Sequence, residues 1–389
     1  MRPQGWEEVT LGQLAEVRRG ASPRPINDPK WFAVSGPGWV RISDATAAGK
    51  YLRTTEQYLS EEGAQASVRV CGGDLIMSIC ASIGKPTVVD MDACIHDGFV
   101  VFANLSERVN REFLYQLILS RDFGRHGQKG TQANINTTLV GQESILLPPM
   151  AEQQLIAEIL VNWDACIDDL RLLIRAKSAR KRGLMQQLLT GRTRFKAFAR
   201  ERWREVRLRD VATESNLRNN GRLDRTCLMA VTKAEGIIPM RERVQGKSLD
   251  RCKVVKTGWF AYNPMRLNIG SIAQWRGKHD VMVSGDYVVF RCNEDRLDPC
   301  WLEQFRRAHH WESFVRSSGN GSVRVRIWFS DVGRLKVNLP SVTEQQHIAA
   351  VLEVCDREIG LLQKQLEALK EQKRGLMQKL LTGEVRVKV

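Results

Sequence analysis

The stretch closest to a reactive centre is Tyr262-Asn263-Pro264-Met265-Arg266. A short loop of Asn-Pro-Pro and an aromatic residue can hold the exocyclic amine of adenine for methyl transfer. Here the second proline and the aromatic are missing, and no glycine-rich cofactor loop accompanies the motif. Asn263, Arg266 and Asn268 are instead suited to hydrogen-bonding base edges or phosphates. The six histidines (96, 126, 279, 309, 310, 347) fall in no HExxH or HRD pattern, and there is neither a GxxxxGK[ST] phosphate loop nor a strand-linked GxGxxG. The nine cysteines form no CxxC pair and no Cys/His spacing of the kind zinc needs. They read as small buried hydrophobes, so we expect no metal, no disulfide and no catalytic residue.

Hydrogen-bonding side chains gather in glycine-bearing loops: RRGASPRP (18–25), GQKGTQANIN (127–136), NLRNNGR (216–222) and SSGNGSVRVR (317–326). Arginine pairs with guanine and Asn or Gln with adenine, while the backbone amides of glycine-rich turns suit phosphates. The candidate nucleic-acid contacts are Arg18, Arg19, Arg24, Lys85, Lys129, Gln132, Asn134, Arg218, Asn219, Asn220, Arg266, Asn268, Asn320, Arg324 and Arg326. In VRVRI the two-residue strand period turns the valines and isoleucine one way and Arg324 and Arg326 the other. Any one of these loops reads equally well as a polar turn facing water. The formal charge of +15 and the pI near 9.6 favour a polyanionic partner without choosing DNA over RNA. Residues 171–209 alone hold fourteen Lys/Arg against two Glu, a run that is also what a solvated basic linker looks like.

The elements that must carry these loops come in duplicate. Residues 181–191 read KRGLMQQLLTG and residues 373–383 read KRGLMQKLLTG, ten of eleven positions alike at an offset of 192. The same offset relates LPPMAEQQLIAEIL (147–160) to LPSVTEQQHIAAVL (339–352). Ile156, Leu160, Trp163, Ile167, Leu170 and Ile174 recur at alternating intervals of four and three, as do Ile348, Leu352, Cys355, Ile359, Leu362, Leu366 and Leu369. Such stripes predict two long helices that bury against each other. Prolines mark their starts, Thr343 and Gln346 have capping-box spacing, and Thr-Gly pairs mark their ends. A helix over 152–190 would be roughly 57 Å long. Gly183 and Gly375 could break it, and the first stripe runs into Lys177 and Lys181, so fraying is expected at that basic end.

Before each helix lie about 140 residues of another texture. VRVCGGDLIMSIC (68–80), GFVVFANL (98–105), KVVKTGWFAYNP (253–264), VMVSGDYVVFRC (281–292) and VRVRIWF (323–329) read as strands of a mostly antiparallel sheet. Residues 111–123 and 299–314 read as amphipathic helices, giving an α+β domain in each half. No apolar run approaches the ~20 residues of a membrane span. The N-terminus has no signal-type stretch, so a soluble cytoplasmic protein is expected.

With the duplicated LPPMAEQQ and LPSVTEQQ starts and the KRGLMQ-x-LLTG ends in view, the whole chain resembles the DNA-specificity subunit of type I restriction-modification systems. PGWVRISDA (37–45), GTQANINTTLVGQESILLPPMAEQQ (130–154) and YNPMRLNIGSI (262–272) are similar to segments that recur in that family. The resemblance implies two target-recognition domains, at about 1–148 and 200–338, alternating with helical repeats at 149–199 and 339–389. The helices would pair as an antiparallel coiled coil with a pseudo-twofold axis. It further implies a non-catalytic subunit whose recognition domains each read one half of a bipartite, asymmetric double-stranded DNA site, with the helices setting the gap. Two modification subunits that methylate adenine at N6 would dock on it, and two restriction subunits, translocases and nucleases, can join them. S-adenosylmethionine, ATP and Mg would belong to those partners and no cofactor to this chain. The repeated KRGLMQ-x-LLTG is then either a docking place for each modification subunit or a packing motif within the chain. Three other readings are a subunit of a methylation-only or fused-enzyme relative, a stand-alone nucleic-acid enzyme, and a coiled-coil adaptor.

Overall fold

The computed structural model describes residues 3–126, 135–241, 249–318 and 326–388. The chain divides into two units, Met1–Arg171 with Lys364–Val389, and Leu172–Gln363.

Unit 1 is built from strands β1 (Glu7–Thr10), β2 (Glu16–Arg19), β3 (Phe32–Val40), β4 (Tyr51–Leu52), β5 (Gln57–Leu59), β6 (Val68–Val70), β7 (Leu75–Ser78), β8 (Pro86–Val89), β9 (Ala93–Ile95), β10 (Phe99–Ala103) and β11 (Ser144–Leu147). They form a β1-β11 pair, a five-stranded sheet β2-β10-β7-β8-β4 and a four-stranded sheet β5-β3-β9-β6. Among them lie α1 (Leu11–Leu14), α2 (Ile42–Ala48), α3 (Glu61–Gln65), α4 (Arg111–Ser120) and α5 (Thr137–Gly141).

Unit 2 has β12 (Arg204–Arg207), β13 (Ala212–Ser215), β14 (Leu228–Thr232), β15 (Gly236–Pro239), β16 (Lys253–Val255), β17 (Phe260–Tyr262), β18 (Ile272–Gln274), β19 (Val281–Val283), β20 (Val288–Cys292) and β21 (Lys336–Leu339). The orders β12-β21, β13-β20-β17-β18 and β15-β14-β19-β16 repeat those of unit 1, less one edge strand. Pairing is antiparallel except for β3 with β9, β4 with β8 and β14 with β19. The scaffold is thus duplicated although its sequence identities are sparse, because apolar residues at strand spacing specify a sheet without specifying its surface.

Two long helices follow the repeats, α6 (Met150–Leu188) and α10 (Val342–Thr382). Each unit holds the start of one and the end of the other. In unit 1, Ile156 and Leu160 of α6 share a core with Met377, Leu380 and Leu381 of α10. In unit 2, Ile348 and Leu352 share one with Met185, Leu188 and Leu189. The pairing is antiparallel, as the resemblance implies. Burial is uneven along them: Ile167 and Leu170 are also buried, whereas Trp163, Ile174, Cys355, Ile359, Leu362, Leu366 and Leu369 are half-buried.

Several local expectations are corrected. Neither Gly183 nor Gly375 breaks its helix, and both lie in continuous α-helix. The basic end does not fray, because Lys177 reaches Glu358 at 2.5 Å and Lys181 reaches Asp356 at 2.6 Å. Helix α10 begins at Val342, so Thr343 stands inside its first turn, and it is the Ser341 carbonyl that accepts the Gln345 amide. The 299–314 segment is two helices, α7 (Pro299–Phe305) and α8 (His309–Ser317), separated by tight turns at Arg307 and Ala308. Residues 326–328 carry no strand, while 323–325 lie outside the described residues; the Trp328 amide donates to Asp331 and starts the short helix α9 (Phe329–Val332). All nine cysteines are free thiols but only Cys94, Cys252 and Cys292 are buried, and Cys71 and Cys166 are exposed. Among the described residues no helix is long and apolar enough to cross a membrane.

Candidate nucleic-acid interface

In unit 1 the RRGASPRP loop leaves the edge strand β2, with Arg18, Arg19 and Arg24 exposed. Asp97 organises it: its carbonyl accepts from Arg19 Nε at 2.9 Å, and its carboxylate accepts from Ser22 Oγ at 2.9 Å and Arg24 Nη2 at 3.0 Å. Burial pushes the Asp97 carboxyl up, but the Ser22 hydrogen bond with the charges of His96, Arg24 and Arg19 outweighs it and holds the group below its ordinary value. Gly20 is required here, since a Cβ would stand 2.1 Å from the His96 carbonyl oxygen. Lys85 does not join these arginines. Its ammonium donates to the Ala45 and Thr46 carbonyls at 2.8 and 3.0 Å, tying off the end of α2.

In unit 2 Arg266 and Asn268 are exposed on the turn joining β17 to β18. Asn263 fixes that turn by accepting the Met265 amide at 3.0 Å, and Tyr262 below it is fully buried. Asn268 also lines a cleft of about 1060 Å³ with Lys233, Trp275, Arg276, Arg316 and Arg357. Those cations come from four separate segments, so no run in the sequence announces them. Arg218 and Asn220 are exposed, the latter at φ +45°. Asn219 is a correction: it is fully buried and both ends of its amide bond Leu223, so it shapes the turn and faces no ligand. Arg326 is exposed beside buried Ile327. Lys129, Gln132, Asn134, Asn320 and Arg324 lie outside the described residues.

How each α+β domain is held to the helices was not foreseen, and the device is the same in both units. In unit 1 the Glu152 carboxylate accepts from Arg386 Nε and Nη2 at 2.6 and 2.8 Å and from the Trp6 indole at 3.0 Å. In unit 2 Glu344 accepts from Arg194 at 2.9 and 2.6 Å and from the Trp203 indole at 3.0 Å. Each guanidinium also lies over its tryptophan, at 5.6 and 5.7 Å from the ring centre. Next along, Gln153 accepts the Asn110 amide at 2.8 Å and Gln345 the Asp298 amide at 2.8 Å, gripping the N-caps of α4 and α7. Three turns on, Lys373 Nζ and Gln116 Nε2 meet Asp164 at 2.6 and 2.8 Å, while Lys181 Nζ and Gln304 Nε2 meet Asp356 at 2.6 and 2.9 Å. These are the duplicated Glu, Gln, Asp, Lys and Arg of the repeats.

Unit 2 is therefore expected to lose stability in acid. Burial pushes Asp356 up, but hydrogen bonds from Lys181 and Gln304 and the nearby positive charges hold it below its ordinary value; Glu303, bonded by Arg306, is depressed in the same way. Carboxylates more acidic in the folded state contribute stability that is complete at neutral pH and is lost as pH falls from about 4 through their depressed folded values. Acid denaturation of Asp356→Asn should show a flatter dependence in that window than the parent chain, and an unchanged dependence would contradict the assignment.

A family model described as the type I restriction modification DNA specificity domain matches residues 3–173. The putative type I restriction enzyme MjaX specificity subunit of Methanocaldococcus jannaschii is 25% identical over 99% of this chain and 95% of its own length. The MjaVIII specificity subunit of the same organism is 22% identical over 99% and 94%. The crystal structure of the type I restriction-modification S subunit from M. genitalium superposes with a TM-score of 0.56 at 12% identity, covering 97% of this chain and 96% of that one. A chain from a structure on complex assembly and conformational transition of the type I R-M system gives 0.57 at 18% identity, covering 99% and 100%. Residues 3–173 thus match the type I specificity domain, and over nearly its whole length the chain is similar to type I specificity subunits and shares their fold.

Proposed function

We propose that the chain is the non-catalytic DNA-reading subunit of a type I complex, with the recognition domain of each unit reading one half of a bipartite duplex site. What supports this most is one observation: two copies of the same scaffold are mounted by the same contacts on the same helices, yet present different loops, RRGASPRP in one and the Arg266–Asn268 turn in the other. Equal mounts with unequal surfaces suit an asymmetric site of two halves. The shared helices set the gap between half-sites, which in duplex DNA lie ~34–36 Å apart per helical turn. They also receive two modification subunits, and a complex that restricts adds two translocating nucleases. S-adenosylmethionine, ATP and Mg act in those partners, and the assembly works in the cytoplasm, where chromosomal DNA is modified.

Footprinting of the chain with its modification subunit should show two protected patches separated by an open gap. Arg266→Ala should weaken protection of one patch only, by about 1–3 kcal/mol if it pairs with a base. A single continuous footprint, or loss of both patches together, would contradict the assignment.

A further inference from the structure

We propose that Asp97 is a specificity-determining residue of unit 1, a positioning group that aims the Arg24 guanidinium at a guanine in one half-site. This deepens the reading above and rests on its claim that the recognition domain of unit 1 reads bases.

The backbone of the RRGASPRP loop is held without the Asp97 carboxylate. The Gly20 amide donates to the Phe99 carbonyl at 2.9 Å and the Ala21 amide to that of Ile95 at 3.1 Å, while Ser67 Oγ donates to the Ala21 carbonyl at 2.7 Å. At the far end the Trp31 indole donates to the Pro25 carbonyl at 2.9 Å. What the carboxylate adds is side-chain order, since Oδ1 accepts from Ser22 Oγ and Oδ2 from Arg24 Nη2. With both oxygens engaged, Asp97 positions a reader and does not itself read.

Unit 2 is built differently at this place. DGFVVF (97–102) aligns with GDYVVF (285–290), which puts Gly285 where unit 1 has Asp97. The strand register agrees, with Phe102 opposite Val17 of β2 and Phe290 opposite Glu214 of β13. A Cβ on Gly285 would stand 2.6 Å from the Arg251 carbonyl oxygen and 3.0 Å from Arg218 Nη1. The place that holds a carboxylate in one unit is closed by a guanidinium in the other. Clamps on the helices recur because both units must be mounted, whereas a device found in one unit serves the half-site of that unit.

A carboxylate beside a loop that meets a polyanion opposes binding, because like charges face each other. Paired with it, Arg24 brings little net charge to phosphates, and an exposed side chain that would otherwise sample many rotamers is held in one. Asp97 takes one Nη2 hydrogen and leaves the other N–H donors of the fork free. Guanine presents two acceptors, O6 and N7, to such a fork, whereas adenine sets its N6 donor against it. The pair thus weakens phosphate binding and sharpens the choice of base.

The test compares the wild-type chain with Asp97→Asn, Arg24→Lys and the double variant, each co-expressed at full length with its modification subunit in a host free of adenine methylation. Sequencing of N6-methyladenine gives the motif, and fluorescence anisotropy on duplexes substituted at single positions gives the discrimination. The wild-type motif should contain a guanine in one half that each single variant relaxes by roughly tenfold or more, leaving the gap and the other half unchanged. The double variant should relax it no further than a single one does, because the two residues act as a unit. Arg24→Lys keeps its charge and should keep the salt slope, whereas Asp97→Asn frees Arg24 for phosphate and should steepen it by about one. Thermal unfolding of each variant at the wild-type temperature separates lost aim from lost folding, and Arg24→Lys carries the test if Asp97→Asn is unstable. An unchanged motif in either folded variant, additive losses in the double variant, or equal weakening of every position in the half-site would overturn the proposal. So would relaxation at a base other than guanine, or loss of all methylation from a folded variant. A wild-type chain that specifies no split motif would instead overturn the functional reading on which the proposal rests.

Discussion

Glu344→Ala is expected to destabilise unit 2 by about 3 kcal/mol, read as a fall in the urea midpoint followed by circular dichroism. The carboxylate is fully buried and accepts two guanidinium hydrogen bonds and one from an indole. Charge-assisted bidentate pairs are the stronger kind of hydrogen bond. Truncation leaves a guanidinium and an indole N–H facing a cavity, and removing one partner of a buried pair costs ~3–5 kcal/mol. The lower figure applies because the Arg194 side chain keeps 18% of its exposure and can recover some hydration. Glu152→Ala should act alike on unit 1, where Trp6 is fully buried and Arg386 is more exposed. Losses under about 1 kcal/mol in both would mean that these carboxylates do not hold the helices to the α+β domains.

The second large effect is on affinity. A chain of formal charge +15 that neutralises six to ten phosphates should lose ~10³–10⁵ in DNA affinity between 50 and 200 mM salt. Fluorescence anisotropy on a duplex, with the modification subunit present, gives the slope directly. Arg266→Ala should leave that slope nearly unchanged if it reads a base and reduce it by about one if it holds a phosphate. A flat salt dependence would remove the electrostatic basis of the interface.

Much of this architecture was legible in the sequence. Stripes with spacings of four and three named the helix pair, while short β-branched runs named only seven of the 21 described strands, among them the inner strands β7, β10, β17 and β20. What misled was context that a linear pattern does not contain. Lys177 and Lys181 interrupt an apolar stripe on paper, but Glu358 and Asp356 stand opposite them once the helices pair. The 323–329 run alternates like a strand, yet Asp331 captures the Trp328 amide and turns the chain into a helix. The Glu-Gln-Gln triplets were visible as repeats, but not their purpose, since Trp6 lies 146 residues from Glu152 and Arg386 lies 234 from it. Among the candidate nucleic-acid contacts, composition picked out exposed arginines such as Arg18 and Arg266 but could not separate them from Lys85 and Asn219. Lys85 is spent on helix carbonyls about 40 residues away in sequence that only the fold brings near, and Asn219 on a local turn to Leu223 that composition does not distinguish from an exposed one.

The central claim is that this chain alone specifies a split DNA site. Co-expression with its modification subunit in a host free of adenine methylation, followed by single-molecule sequencing of N6-methyladenine, tests it most directly. The account predicts methylation at two short specified sequences separated by a fixed unspecified gap, and none when this chain is omitted. Methylation at a continuous motif, or the same motif in the chain's absence, would contradict it.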